Sequence, residues 1–377
     1  MAAKLMISSD QGSSASKTLY QVNNGRTGVV VMEPQILTLP QSSIASYKDS
    51  RGALNNALHE NDAWLSFKKT ADDCMVLGHL AKQFHGTSKL TQLKFEQGAA
   101  KLMAIIGAII QKEELDPEIE VAVATLLPFG EYVNRDQLKE QFQKEAKNYY
   151  FRNQKINVYT DEFKCLPEGA GFIASYARKH GEDWFARRKI VVLMCGHRNT
   201  SLLVFDKGSL THESQTTGLG FIKLVESVMQ RSSLDDAELL TPAIYNMGAH
   251  ISADNPNLRI LLKSFHPENF QREAESLVGV IETAREEYWA LLANWLESAM
   301  PRQLDEMIIA GGGAYYLKDR LDQFLGWAEP AWNADERSEG LQNLLSPYPD
   351  SESLFVRFRD VYALHFAMYK EAIAVHH

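Results

Sequence analysis

The apolar positions of the chain fall into short runs fenced by small polar residues and into long stretches with three- and four-residue spacing. Residues 5–9 are mostly apolar, 10–16 are small and polar, and 17–22 alternate, which predicts a β-hairpin whose turn is built from Gly12, Ser13, Ser14 and Ser16. Residues 23–60 are polar and irregular, with a candidate strand at 28–32. From 89 to 112 the pattern turns helical: Leu93, Leu102, Ile105, Ile106 and Ile109 share one stripe, the mark of a buried core helix. Residues 119–127 read as a strand stopped by Pro128, and Asn134 is placed to cap a helix running to about residue 147. A charged strand at 155–163 leads into Leu166-Pro167-Glu168-Gly169, then a helix at 172–179 ended near Gly181.

The opening theme then returns. Strand 189–194, polar turn 196–199 and strand 201–205 repeat it, followed by the turn 206–208 and a third strand at 210–214. Two copies of one α/β unit would set the two turns facing each other across a cleft. Helices are predicted at 221–230, 235–247 and 269–300, the last broken by Pro301. Strand 307–310 runs into Gly311-Gly312-Gly313 and a helix at 316–325. A loop spans 326–350, and a final helix at 355–374, with Val356, Val361, Leu364, Phe366 and Tyr369, is expected to pack back on the first domain.

Composition narrows the function classes. The 377 residues are 45% hydrophobic and 23% charged, the profile of a globular chain of two domains or one bilobed one. Acidic residues outnumber basic ones, 48 to 39, for a net charge of −9. Direct binding of nucleic acid by charge is therefore not expected. Cys74, Cys165 and Cys195 are too sparse for a disulfide framework or a structural zinc site, and no histidine pair has metal-ligand spacing. The first ten residues lack the apolar core of a signal peptide, and the longest apolar run, 102–110, is far shorter than the ~20 residues that span a bilayer. These features predict a cytoplasmic protein with no transmembrane segment; His376 and His377 read as a tail.

Three segments carry candidate chemistry. In Asp10-Gln11-Gly12-Ser13-Ser14-Ala15-Ser16-Lys17, small residues let backbone N–H groups point inward at a phosphate, Lys17 could reach a β- or γ-phosphate, and Asp10 could hold Mg²⁺ through water. The same octapeptide also reads as a polar hairpin turn, and it is not a Walker A loop. Gly311, Gly312 and Gly313 lie between a strand and a helix, where a ligand can approach the backbone or where a tight turn needs unusual φ. The third segment pairs Gly196, His197, Arg198, Asn199 and Thr200 with Gly218 and Gly220.

Taken in order, these motifs resemble the actin-like ATPases of bacteria, in particular the ParM/StbA type that moves plasmids. The resemblance rests on the hairpin with Asp10 and Lys17 seven apart, the strand ending Leu126-Leu127-Pro128, the Pro167-Glu168 turn, the second strand–turn–strand and the triple glycine followed by Ala314. Arg357-Phe358-Arg359-Asp360-Val361-Tyr362 resembles the closing helix of that family. The resemblance implies an α/β, actin-like fold of two lobes, each a mixed sheet flanked by helices, with a nucleotide between them. Lobe I would be 1–165 plus 336–377, with a small subdomain inserted around 45–100, and lobe II 166–335. It further implies ATP or GTP with Mg²⁺ as ligands. Asp10 would orient the metal, and Gly12, Ser13, Ser14 and Lys17 would clamp the β- and γ-phosphates. Glu168 would position the attacking water. Gly311, Gly312 and Gly313 would cradle the nucleotide, with Gly218 and Gly220 near ribose and phosphates. The implied partner is the chain itself, as a head-to-tail filament, with a small DNA-binding adaptor for plasmid segregation or a place at the cell cortex.

One departure bears on catalysis. The family's second phosphate loop usually carries two carboxylates, Asp-x-Gly-x-x-Thr-Thr-Asp; here Met194 and Ser201 stand at those positions. A thioether does not hold hydrated Mg²⁺, and loss of one charged transition-state partner costs roughly 10²–10³ in rate. Nucleotide binding is expected to survive better than hydrolysis. His197 and Arg198 either touch phosphate or are solvated turn residues. The alternatives are a small-molecule kinase, disfavoured by the missing acid in the second loop, and a nucleotide-binding scaffold that does not polymerise.

Overall fold

A computed structural model describes residues 4–23, 25–50, 61–264, 266–332 and 338–375. Part of the expected inserted subdomain, 51–60, and the tail at His376-His377 lie outside the described residues. The chain forms two compact units, Met1–Lys179 with Arg337–His377, and His180–Glu336. The break falls at 179/180 rather than near residue 165, because the segment following residue 165 is tied into the first sheet and to the C-terminal helix.

Among the described residues the first unit holds ten strands: β1 (Lys4–Gln11), β2 (Ser16–Val22), β3 (Arg26–Met32), β4 (Ile36–Pro40), β5 (Asp62–Ser66), β6 (Asp73–Leu77), β7 (Glu118–Leu127), β8 (Tyr149–Phe151), β9 (Gln154–Tyr159) and β10 (Phe163–Pro167). Their order is β3-β2-β1-β7-β9-β8-β5-β6-β4, with β10 also paired to β7. Strand β1 is antiparallel to β2 and parallel to β7. Alternation along these strands sorts side chains onto two buried faces. Leu5, Ile7, Tyr20, Val121 and Val123 pack with the helix Lys94–Lys112, whose Leu102, Ile105, Ile106 and Ile109 are fully buried. Met6, Leu19, Val29, Ala122, Ala124 and Leu126 pack instead with Leu354, Phe358, Val361 and Leu364 of the helix Ser351–Val375. The final helix thus packs on the far face of the first sheet, as expected, through Val361 and Leu364 with Phe366 partly buried; Val356 is not among the packed residues. A sheet with a helix on each face is the α/β layer arrangement.

The second unit holds β11 (Lys189–Cys195), β12 (Thr200–Asp206), β13 (Ser209–Leu210), β14 (Gln215–Thr217), β15 (Glu306–Ala310) and β16 (Ala331–Trp332), in the order β13-β12-β11-β15-β16 with β14 against β12. Its helices include Ile222–Arg231, Ala237–Met247 and the 33-residue Pro267–Ala299. Strand β11 is antiparallel to β12 and parallel to β15. This is the same arrangement as β1, β2 and β7, so the repeat read from the sequence extends to strand direction.

Several elements differ from expectation. The stretch 23–60 contains β4 and the helix Gln41–Ser50 where no structure was expected; β4 pairs with β6, a contact no local pattern announces. The expected strand 155–163 is two strands, β9 and β10, which pair with β7 separately. The third strand expected at 210–214 is β13 and β14, flanking a turn closed by Ser214 N–H to Thr211 C=O at 3.2 Å. Asn134 precedes the helix Arg135–Glu145 but does not cap it; its amide donates to Gln137 Oε1 at 2.7 Å. Glu339–Leu345 is a helix inside the expected 326–350 loop, capped by Ser338. Among the described residues no helix is long and apolar enough to cross a membrane.

Candidate functional site

Two sites are built from the predicted residues, one in each unit. In the first unit β1 runs two residues further than expected and β2 begins one residue earlier. Asp10 and Gln11 belong to β1 and Ser16 and Lys17 to β2, with Asp10 opposite Lys17 and Gln11 opposite Ser16. Only 12–15 form the turn, so Gly12 lies beside the Asp10 carboxylate and the Lys17 ammonium. Lys17 Nζ pairs with Asp10 Oδ2 at 2.5 Å. Ser14 Oγ accepts from Arg357 on the C-terminal helix at 2.9 Å; Ser13 remains in the turn.

The residue at the centre of this site, Lys94, belongs to none of the sequence motifs. Lys94 opens the helix Lys94–Lys112 and is 9% exposed. Its ammonium donates to Asp10 Oδ1 and, at 2.7 Å, to Glu168 Oε1. Glu168 is held by its own N–H to Leu127 C=O at 2.8 Å, which continues the β7–β10 pairing by one residue. The start of the lysine's helix is fixed by Glu131, which accepts from Phe95 N–H at 3.2 Å; a carboxylate there also suits the helix dipole. Burial opposes charging Asp10, but Lys17 and Lys94 outweigh it and hold the carboxyl well below the usual range. Burial likewise opposes charging Lys94, and Asp10 and Glu168 outweigh it and hold the ammonium above its ordinary value. The signal available in the sequence was a lysine at the polar start of an otherwise apolar helix.

A second missed residue, Asp360, organises the Glu168 turn. Its carboxylate accepts from Gly169 N–H at 2.6 Å and Gly171 N–H at 2.8 Å. A side chain at 171 would strike Asp360 itself, so glycine there is required by close approach. Burial pushes the Asp360 carboxyl up to about 7, with the charges of Asp10 and Glu168 adding to the rise and the two backbone donors opposing it.

In the second unit the turn 196–199 is closed by Gly196 N–H to Asn199 C=O at 2.9 Å. Phe221 and Ile222 donate their N–H groups to Gly196 and His197 carbonyls at 3.1 and 2.9 Å, which brings Gly220 onto the turn. Thr200 Oγ1 donates to Leu219 C=O at 2.7 Å. Gly311 has φ +94°, and a side chain there would meet the Cys195 backbone; Gly313 lies against the same carbonyl. Gly196, His197, Arg198, Asn199, Thr200, Gly220, Gly311, Gly312 and Gly313 therefore gather around the end of β11. Gly218 is exposed, with nothing beside its Cα. Burial pushes the Cys195 thiol up to about 12, so it is an inert core thiol.

The two hairpins share one register. Each has a four-residue turn after a closing pair, Gln11–Ser16 in the first and Cys195–Thr200 in the second. One step earlier, Asp10–Lys17 in the first corresponds to Met194–Ser201 in the second.

The donor sets differ in what they can hold. Gln11 Nε2 and Ser16 Oγ, both on the closing pair of the first hairpin, are buried without a hydrogen-bond partner. Buried unpaired donors beside a glycine–serine turn fit an anionic oxygen. A hydrated Mg²⁺ fits the first-unit site poorly: both oxygens of Asp10 are engaged by ammonium groups, and Glu168 shares one of them.

No protein-family model matches the sequence, and no curated protein matches it. Solved structures do match in fold. The chain is 12% identical to an archaeal actin homologue, Ta0583, with 98% of this chain and 100% of that one covered at a TM-score of 0.60. It is 13% identical to the actin-like protein Alp7A, covering 99% and 100% at 0.58. It is also 13% identical to Bacillus thuringiensis ParM solved with ATP, covering 96% and 98% at 0.55. The fold is actin-like: a mixed α/β chain with two mixed sheets flanked by helices.

Proposed function

We propose that the chain is an actin-like protein that binds ATP or GTP and assembles with copies of itself into filaments, with slow hydrolysis. The observation that carries the nucleotide reading is the first hairpin. Two buried donors without partners, Gln11 Nε2 and Ser16 Oγ, flank a Gly-Ser-Ser turn with Lys17 at its base. The fold supports it, since similar chains were solved with ADP and with ATP. The β/γ-phosphates fall to Gly12, Ser13, Ser14 and Lys17. The glycine turns of the second unit are the further candidates for nucleotide contact, with Gly196, Gly220 and Gly311 at their centre.

Self-assembly is supported by the fold, for a similar chain, Alp12, was solved as a filament. Slow turnover follows from the chain's own residues. Glu168, the water-positioning candidate, already gives one oxygen to Lys94, and the second hairpin has Met194 where the first has Asp10. The net charge of −9 favours a small DNA-binding adaptor protein, rather than this chain, as the carrier of any DNA cargo. Segregation of a plasmid and a filament at the cell cortex are the roles such a polymer serves. The missing carboxylates equally suit a scaffold that binds nucleotide without polymerising.

Calorimetric titration of the purified chain with ATP and GTP tests the nucleotide reading. One saturable site, lost in Lys17→Ala, supports it; no heat with either nucleotide contradicts it.

A further inference from the structure

We propose that Lys94 takes the place of a divalent cation in this site, so that the chain binds its nucleotide without metal. The inference rests on the nucleotide reading above and concerns what balances charge there.

The first-unit site holds two carboxylates, Asp10 and Glu168, and two ammonium groups, Lys17 and Lys94. The four charges cancel before any metal arrives. Lys94 is the hinge of that balance, because it touches both acids, whereas Lys17 touches Asp10 alone. A hydrated cation in a carboxylate site serves the same office: it sits between acidic groups, satisfies their oxygens and presents positive charge to phosphate. An ammonium has three donors. Two are given to Asp10 and Glu168, and the third is left to offer an anionic oxygen.

A metal arriving beside these residues would have to displace an ammonium already paired within a nearly dry pocket, where like charges repel strongly. Lys94 and Asp10 have side chains only 7% and 14% exposed. Asp360, the third acid on this wall, has each of its oxygens engaged by a backbone N–H, of Gly169 and of Gly171.

The converse follows. Removing the Lys94 ammonium leaves Asp10 and Glu168 with one compensating charge between them, and so creates a place for a divalent cation. Lys94→Met should convert a metal-indifferent site into a metal-dependent one.

The test is nucleotide affinity measured by titration of the full chain with ATP, and with GTP, in EDTA and in millimolar Mg²⁺. Wild type should bind within ~3-fold in the two conditions, while Lys94→Met should bind at least ~10-fold more weakly in EDTA and recover with Mg²⁺, as expected for loss of a charge-assisted contact. Lys94→Arg, which keeps the charge, should remain indifferent to EDTA. If Lys94→Met does not fold, the wild-type and Lys94→Arg comparisons still decide. Wild-type binding that collapses in EDTA overturns the inference and leaves nucleotide binding standing. So does a folded Lys94→Met whose affinity in EDTA equals that of wild type. Absence of binding in both conditions overturns the nucleotide reading itself, and this inference with it.

Discussion

Asp10 and Met194 occupy the same register position in two copies of one hairpin, each paired across to β2 or β12 one step from the closing pair. In the first copy the position carries a charge that organises two lysines; in the second it carries a thioether that can organise no ion. On the proposed function, that asymmetry would let the chain bind nucleotide while turning it over slowly.

Restoring the missing acid should restore chemistry. Met194 is half-buried, so an aspartate there can be solvated. Met194→Asp is expected to raise phosphate release from ATP or GTP in millimolar Mg²⁺, by about tenfold or more, because the added carboxylate could hold the cation that a thioether cannot. A phosphate-release assay on folded variant and wild type checks this; equal rates would show that the second hairpin does not limit turnover.

Glu168→Gln should lower whatever phosphate release the wild type shows, and filaments formed in nucleotide should persist longer in proportion. Single-turnover release and light-scattering decay measure the two. Unchanged decay in the variant would remove Glu168 from the hydrolytic step.

Gly171→Ala places a methyl group against the Asp360 backbone and carboxylate. Relief requires Asp360 to withdraw from two buried N–H groups, and orphaned buried donors cost roughly 1–3 kcal/mol each. The expected loss is about 2–4 kcal/mol of unfolding free energy, read by urea titration. A variant as stable as wild type would mean that the Glu168 turn is not pinned by Asp360.

Two buried groups give stability opposite pH slopes. His365 is 1% exposed, with Nδ1 3.1 Å from Ser8 Oγ and Nε2 unpartnered, and burial pushes its ring down to about 4 from 6.5. The unfolded chain takes up that proton first, so this contribution is whole above pH 6.5 and is lost as pH falls toward 4. Burial pushes Asp360 the other way, from 3.8 up to about 7. Folded Asp360 keeps a proton that the unfolded chain releases, so its contribution falls as pH rises from about 4 to about 7. His365→Gln should therefore gain on wild type as pH drops from 6.5 to 4, by up to about 3 kcal/mol. Parallel stability curves for variant and wild type would contradict the neutral buried ring.

Much of the fold is legible in the sequence because its signals are local. The stripe of Leu102, Ile105, Ile106 and Ile109 and the small-residue breaks near 10–16 and 196–199 need no partner to be read, although Leu93, expected on that stripe, precedes the helix and is exposed. Strands β4, β5 and β6 escape notice because pairing across the sheet, not local pattern, makes them strands. The site divides in the same way. Asp10 and Lys17 announce themselves by spacing within one hairpin. Lys94 and Asp360 lie 84 and 350 positions from Asp10 (94 − 10 and 360 − 10) and reach the site only because the packing of two helices on opposite faces of one sheet delivers them. A lysine at the polar start of an otherwise apolar helix was the trace Lys94 left in the sequence.

Sedimentation of the purified chain with ATP, with GTP and without nucleotide, with negative-stain microscopy of each pellet, tests the central claim most directly. Filaments that form with nucleotide, and that Lys17→Ala fails to make, are the predicted result. Protein that stays in the supernatant as monomer at micromolar concentration in every nucleotide state would contradict it.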